Sequence, residues 1–422
     1  MRVLTLSNLY PPDFIGGYEL ACSQAVDGLL ARGHDVRVMC GAPRTPVAQK
    51  SHVLRRFRLP DVYNHYVMNN VSALTRDIWS VEARYVCAHN IHALTSVLDE
   101  FQPDVIYLGN IFGLGGLGIM AALDYMRYPW IWQLGDDVPL WLCEFDQKVN
   151  PALSFSLQRI QGEFIAVSSR VANRINRSGF QLPGPVHFVP NWIIGDRPEP
   201  RKRFYRPGDR LQLITAGQIC EHKGIGILID AIALLTDWGY HNISADLYGH
   251  ATDNHWQAKI HADGLEGRVN LRGQRPQAEL LKAYADYDVF AFPTHAHEPF
   301  GLTPLEALAQ ECVPILARDC GVSEWLVHGV HCLKADRSVE SFANTLRSIL
   351  DGEVDLESIA RRGTAAAWRD FHLESYLDKL EVMFDRAACK SRTGAGNSTD
   401  VYRLALLGEK LAHLMIHEAH VA

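Results

Sequence analysis

Apolar positions along this chain fall into short continuous runs, separated by longer stretches in which they recur with helical spacing. That alternation predicts strands and helices taking turns, which is the pattern of parallel α/β sheets. In the first series the strands are residues 3–7, 35–40, 105–108, 130–134, 164–167 and 186–189. A Pro/Gly loop follows the first of them and leads to a helix over about 19–31, which Gly33 ends. The runs are apolar on both faces, as buried strands of one sheet require. Residues 196–210 then change character: DRPEPRKRFYRPGDR is polar, charged and Pro-containing, a linker composition. A second series follows, with strands at 211–216, 244–248, 269–271 and 289–292 and helices near 225–235, 278–285 and 304–309. The expected fold is therefore α/β: a first Rossmann-like domain over 1–195, a linker over 196–210, a second Rossmann-like domain over 211–370, and C-terminal helices with a crossover and tail over 371–422.

Composition narrows the function classes. With 422 residues, 47% hydrophobic and 21% charged, the chain is neither disordered, collagenous nor a disulfide scaffold. A formal net charge of −7 argues against a globally basic nucleic-acid binder. The nine cysteines are odd in number and form no C-x-x-C pair, so reduced thiols are expected. Met1 and Arg2 lead directly into the first strand, and no apolar run nears the roughly 20 residues that span a bilayer. The expectation is a cytoplasmic protein, at most attached to a membrane surface. Arg44, Lys50, Arg55, Arg56 and Arg58 gather in one segment; they can meet an anionic lipid surface or a phosphorylated acceptor, and otherwise form a solvated face. The tail offers a helical pattern over 402–417, read as a packing or homo-oligomerisation helix. His413, His417 and His420 there lack an acid or thiol to complete a metal set, and no metal site is expected.

Three segments carry chemistry. Glu298-Pro299-Phe300-Gly301-Leu302-Thr303-Pro304-Leu305-Glu306 follows a strand and opens a helix, with seven residues between its two carboxylates. Thr303 as N-cap, Pro304 at N1 and Glu306 at N3 fit a capping box, which leaves Glu298, Phe300 and Gly301 unexplained. Gly301 ahead of the helix lets backbone N–H groups approach an anion. A second strand ends at Gly217, and Gln218-Ile219-Cys220-Glu221-His222 leads to Lys223-Gly224 at a helix mouth. A lysine there suits a phosphate as a point charge, although a solvated lysine looks the same. Two helix N-termini and a cation together make a diphosphate cradle. Gly16-Gly17 sits in a third loop, before the first helix, and permits close approach by a ligand or simply a tight turn.

With these segments in view, the chain resembles retaining glycosyltransferases of family 4, which have the two-Rossmann-domain GT-B fold with both sheets facing an interdomain cleft. The matching stretches are PPDFIGGYE (11–19), ARGHDVRV (31–38), VPNW (189–192), AGQICEHKG (216–224), ADYDVFAFP (285–293) and EPFGLTPLEALA (298–309). The resemblance implies a nucleotide-sugar held mainly by the second domain and an acceptor on the first. Lys223 would meet the diphosphate, with Gly217, Gln218, Phe300, Gly301, Leu302 and Thr303 around the donor. Glu298 would bind donor-sugar hydroxyls, Glu306 the ribose, and Gly16 and Gly17 would close over the diphosphate. Relatives often carry Arg where Gln218 stands, and histidines where Tyr107 and Gly109 stand; Asp136 replaces a third, and is expected to contact sugar or acceptor. Asn110 and Trp132 are the expected acceptor contacts.

The implied reaction moves a sugar from UDP (GDP as the alternative) to an acceptor hydroxyl with retention and without a metal or cofactor, in polysaccharide, glycolipid or glycosylated natural-product assembly. The departing phosphate needs charge stabilisation, and the acceptor needs positioning. A sugar-nucleotide epimerase or an inactive binding subunit on the same scaffold is the alternative. A remoter one is an NAD-dependent oxidoreductase, since Gly113-Leu114-Gly115-Gly116-Leu117-Gly118 spells G-x-G-x-x-G with Asp136 eighteen residues on. Its context is wrong, because residues 109–112 intervene between the strand and the first glycine.

Overall fold

The computed structural model describes residues 1–389 apart from 44–49, 60–71, 141, 143–161, 178–180, 183, 196, 200–203, 252–253 and 295–296. Two compact units result, one of residues 1–189 with 377 onward, the other Pro190–Tyr376. The tail helix expected over 402–417, its three histidines, and Arg44 lie outside the described residues.

The first unit is built on seven parallel strands: β1 Arg2–Leu6, β2 Asp35–Gly41, β3 Val53–Phe57, β4 Val105–Leu108, β5 Trp130–Leu134, β6 Glu163–Ala166 and β7 Val186–Phe188. Their order across the sheet is β3-β2-β1-β4-β5-β6-β7. Val3 pairs with Val36 on one side and Val105 on the other, so the central strand is apolar on both faces. Helix Gly17–Ala31 ends as expected, with Arg32 at its C-cap and Gly33 at φ +85°. The unit is completed from the far end of the sequence by helix Leu373–Ala388, in which Leu377, Leu380 and Phe384 are fully buried. On that helix Glu381 accepts from Arg32 at 2.7 Å, and Arg386 lies 3.0 Å from the buried Glu163 carboxylate.

The second unit repeats the plan with β8 Leu211–Ala216, β9 Ile243–Tyr248, β10 Val269–Gly273, β11 Val289–Phe292, β12 Val313–Ala317 and β13 Leu333–Ala335, ordered β10-β9-β8-β11-β12-β13. Leu213, Ile229, Ile232, Leu247, Ile315 and Phe342 lie at the centre of its core. Phe204, inside the stretch read as linker, packs into this core with Arg361 stacked 5.0 Å over its ring. In both sheets the strand order reverses once, between β1 and β4 and between β8 and β11. Ligands of such open sheets bind outside the carboxyl ends of the strands at that reversal.

The G-x-G-x-x-G segment serves packing. Helix Gly116–Tyr125 starts only after Gly115, and a Cβ at Gly115, Gly116 or Gly118 would meet Cys87, Leu142 or Val86 at 3.0 Å or less. This corrects the dinucleotide reading: the glycines let the helix lie against its neighbours. The basic segment is likewise engaged. Arg55 on β3 donates to the carbonyls of Tyr10 and Pro11 at 3.2 and 2.7 Å, while Arg56 and Arg58 lie 3.7 and 3.8 Å from Glu100 and Glu82. Only Lys50 of the described members is free in solvent.

Candidate active site

At the reversal of the second sheet, the loops after β8 and β11 are brought together by Gly224. Its φ is +75°, and a Cβ there would fall 2.2 Å from the Pro293 carbonyl oxygen. Helix Ile225–Asp237 can therefore begin against the end of β11, with Lys223 in the turn just before it. Lys223 Nζ donates to Glu298 Oε2 at 2.6 Å, and the Thr294 hydroxyl reaches the same oxygen at 3.3 Å. The turn after β12 pins this loop, since Gly321 N–H donates to the Glu298 carbonyl (3.0 Å) and Val322 N–H to that of Phe300 (2.7 Å). Phe300 itself is buried and holds the loop down.

Gly301 is the N-cap of helix Leu302–Ala309, at φ +99°, with the Phe292 ring 2.8 Å from where a Cβ would sit. The helix thus starts two residues earlier than the Thr-Pro-x-Glu pattern suggests. Thr303 is N2 rather than N-cap, and Glu306 lies too far along to cap anything. Its Oε1 accepts from Gln277 Nε2 at 2.8 Å. Glu306 is 3% exposed, and burial raises its pKa above the usual carboxylate range, with the Gln277 amide pulling the other way. Leu302 and Thr303 remain partly open, so the helix N-terminus presents N–H groups and a positive dipole end. Gly217 (φ +145°) and Gln218 are exposed on the β8 side.

The first unit gathers its own set at the β1/β4 reversal. Glu19 is buried; it accepts from the N–H of Gly16 at 3.1 Å and from Asn110 Nδ2 at 3.0 Å. A Cβ at Gly16 would meet nothing within 4 Å, so the unit's own packing does not demand glycine there. Gly17 opens the helix beside it. Trp132 corrects the expectation of an acceptor contact: it is 1% exposed, with its indole N–H donated to the Gly109 carbonyl at 3.1 Å. Tyr107, where relatives carry histidine, is fully buried and bonds Gln133. Asp136 is partly buried and accepts from Val138 N–H at 3.1 Å.

Comparison with known proteins shows the family to which these two units belong. Residues 16–192 match the family described as "Glycosyl transferase 4-like domain", and residues 196–366 the family "Glycosyl transferases group 1". The chain is a glycosyltransferase of the GT-B type. It is 26% identical over 340 residues to the lipopolysaccharide core biosynthesis mannosyltransferase LpsB of Rhizobium meliloti, covering 70% of this chain and 94% of that one. Among solved structures, the sucrose-phosphate synthase of Thermosynechococcus elongatus superposes with a TM-score of 0.71 at 16% identity, covering 92% and 100% of the two chains. Anabaena HepE in complex with UDP and glucose does so with 0.64 at 19% identity and the same coverage.

Sequence reading of this glycosyltransferase missed Thr294, Glu19 and Gln277. Glu19 carried a signal, three residues after Gly16 at a helix start. Thr294 and Gln277 became visible only once the chain was folded, because their partners Glu298 and Glu306 lie four and twenty-nine positions away. Among the described residues, no group of three or more His, Cys, Asp or Glu is placed to hold a metal, and no helix is long and apolar enough to cross a membrane.

Asp136 gives the glycosyltransferase a pH signature. Burial raises its pKa to about 7, opposed by the Val138 N–H and reinforced by Asp137 and Glu19. A carboxyl whose pKa is higher folded than unfolded costs stability as pH rises from the unfolded value to the folded one. Asp136→Asn keeps the acceptor for Val138 and removes that cost. Its advantage over the wild type in denaturant titrations is therefore expected to grow between pH 5 and 7.5, by up to about 1.4 kcal/mol per pH unit. An advantage that does not vary with pH contradicts a raised Asp136.

Proposed function

We propose that this enzyme transfers a hexose from a UDP-sugar to an acceptor hydroxyl with retention of anomeric configuration, GDP-sugars being the alternative donors. The observation that carries the donor half is Lys223 held 2.6 Å from Glu298 at the strand reversal, beside the open helix N-terminus at Gly301. An ammonium and a helix end converging there suit a diphosphate, each charge-assisted hydrogen bond contributing about 1.5–3 kcal/mol. Glu298 then faces the donor sugar and Glu306 the ribose. UDP is favoured because HepE, of the same fold, was crystallised with UDP and glucose. Retention rests on the resemblance to family 4.

In the proposed step the anomeric carbon–phosphate oxygen bond breaks as the acceptor oxygen bonds to the same face of the sugar. The acceptor proton passes to the departing diphosphate oxygen, whose charge Lys223 and the Gly301 helix end stabilise. These groups do the work of a metal ion, and turnover is expected to survive a chelator. Asp136 and Asn110 of the first unit are the residues proposed to meet the acceptor.

Thermal-shift screening against UDP- and GDP-sugars tests the donor, because a ligand that binds only the folded state raises its stability by RT ln(1 + [L]/Kd). The reading expects one UDP-sugar to stand out and its use with saccharide acceptors to give an α-linked product in EDTA. A β-linked product refutes retention. An epimerised donor without any acceptor product replaces transfer with epimerisation.

A further inference from the structure

Glu306 is gripped by one short element of the second unit. Gln277 begins helix Gln277–Ala283, and Tyr284 continues the turn in helical conformation (φ −55°, ψ −32°). Seven positions make two helical turns, so both side chains lie on one face. Gln277 Nε2 donates to Glu306 Oε1 at 2.8 Å. Tyr284 is fully buried, its ring packed edge-on to Phe290 at 5.7 Å; burial first, and then the charges of Glu306 and Cys312, raise its pKa well above the usual phenol range. Its hydroxyl has no hydrogen-bond partner among the described residues. A buried phenol left without a partner costs free energy unless a second state of the site satisfies it.

We propose that Gln277 and Tyr284 are positioning residues for Glu306, holding its carboxylate so that one oxygen stays available to the vicinal hydroxyls of the donor's ribose. The inference rests on the reading of Glu306 as the ribose-binding residue and adds the groups that make it one. Gln277 occupies one oxygen and fixes the plane of the carboxylate. The ribose diol adds two donors to the other, and the Tyr284 hydroxyl turns onto the carboxylate as its charge is consolidated.

A pH dependence with a defined sign follows. In the free protein burial favours the protonated acid, and the diol favours the anion, so binding releases a proton. Affinity for a ribose-bearing nucleotide therefore rises with pH through the titration of Glu306 and is flat above it. Of the titratable groups on this element, Tyr284 senses the charge of Glu306 and also that of Cys312. Removing the Gln277 donor moves the rise to higher pH.

The test measures Kd for UDP and GDP, each against its 2′,3′-dideoxy analogue, from pH 5 to 9. Taking the ratio cancels the titration of the diphosphate itself. Wild type is expected to prefer the ribose form by at least about tenfold. Gln277→Met is expected to cut the preference about tenfold and shift its pH course upward, and Tyr284→Phe to cut it about threefold, with dideoxy affinities unchanged. Should Gln277→Met fail to fold, Tyr284→Phe alone decides. If Glu306→Gln abolishes the preference while both other variants keep the wild-type ratio and pH course, the positioning role is wrong and the reading of Glu306 stands. If wild type shows no preference, that reading falls and the positioning role with it.

Discussion

Lys223→Ala is expected to lower kcat for sugar transfer by about 10²–10³, the range seen when one preorganised donor to a developing anion is removed. The side chain is one-third exposed and packs into no core, so its loss should leave the melting temperature within a few degrees of wild type. Glu298 keeps the Thr294 hydroxyl as a partner, which holds its rotamer in place. On the proposed donor reading, the diphosphate would then depart with only the helix end at Gly301 and neutral side chains to stabilise it. Gln218 is neutral and Lys223 is the one lysine or arginine within residues 217–224, so the loss should be correspondingly severe. Single-turnover assays with saturating donor separate the chemical step from binding. Near-wild-type turnover in Lys223→Ala would remove the diphosphate from this site.

Glu298→Gln separates the sugar from the nucleotide. The substitution keeps the size of the side chain but removes the charge that faces both Lys223 and the expected sugar hydroxyls. Affinity for the intact nucleotide-sugar is expected to fall about tenfold or more, the equivalent of one hydrogen bond to a charged group. UDP alone lacks the sugar and should bind within about twofold of wild type. Calorimetry with UDP and a UDP-sugar side by side gives the comparison. Equal losses for both ligands mean that Glu298 acts by orienting Lys223, and the assignment to sugar hydroxyls is then wrong.

Much of this was legible in the chain because a buried parallel strand needs an apolar run, and the runs at 105–108, 130–134, 211–216 and 289–292 coincide with β4, β5, β8 and β11. β3 was hidden because Arg55 and Arg56 lie on it, and their partners, carbonyls of Tyr10 and Pro11 and the carboxylate of Glu100, are remote in sequence. The helix after Gly301 was misplaced for a physical reason. Thr303, Pro304 and Glu306 spell a good capping signal, but a glycine at positive φ two positions earlier lets the backbone turn in sooner. Trp132 was misjudged because a strand residue next to an expected site looks the same whether it faces solvent or the interior. The pairing of Lys223 with Glu298 follows from motif spacing only in outline; its geometry depends on Gly224 admitting one loop against the other.

Helix Leu373–Ala388 bears on how the polypeptide is assembled. Its buried Leu377, Leu380 and Phe384 belong to the sheet that begins at Arg2, so that sheet lacks one of its walls until synthesis has passed residue 388. The later unit, contiguous from Pro190 to Tyr376, has all its own strands before then. A nascent chain leaving the ribosome can thus finish its second half first, and a gene fragment cut at residue 189 encodes a body with an open apolar side.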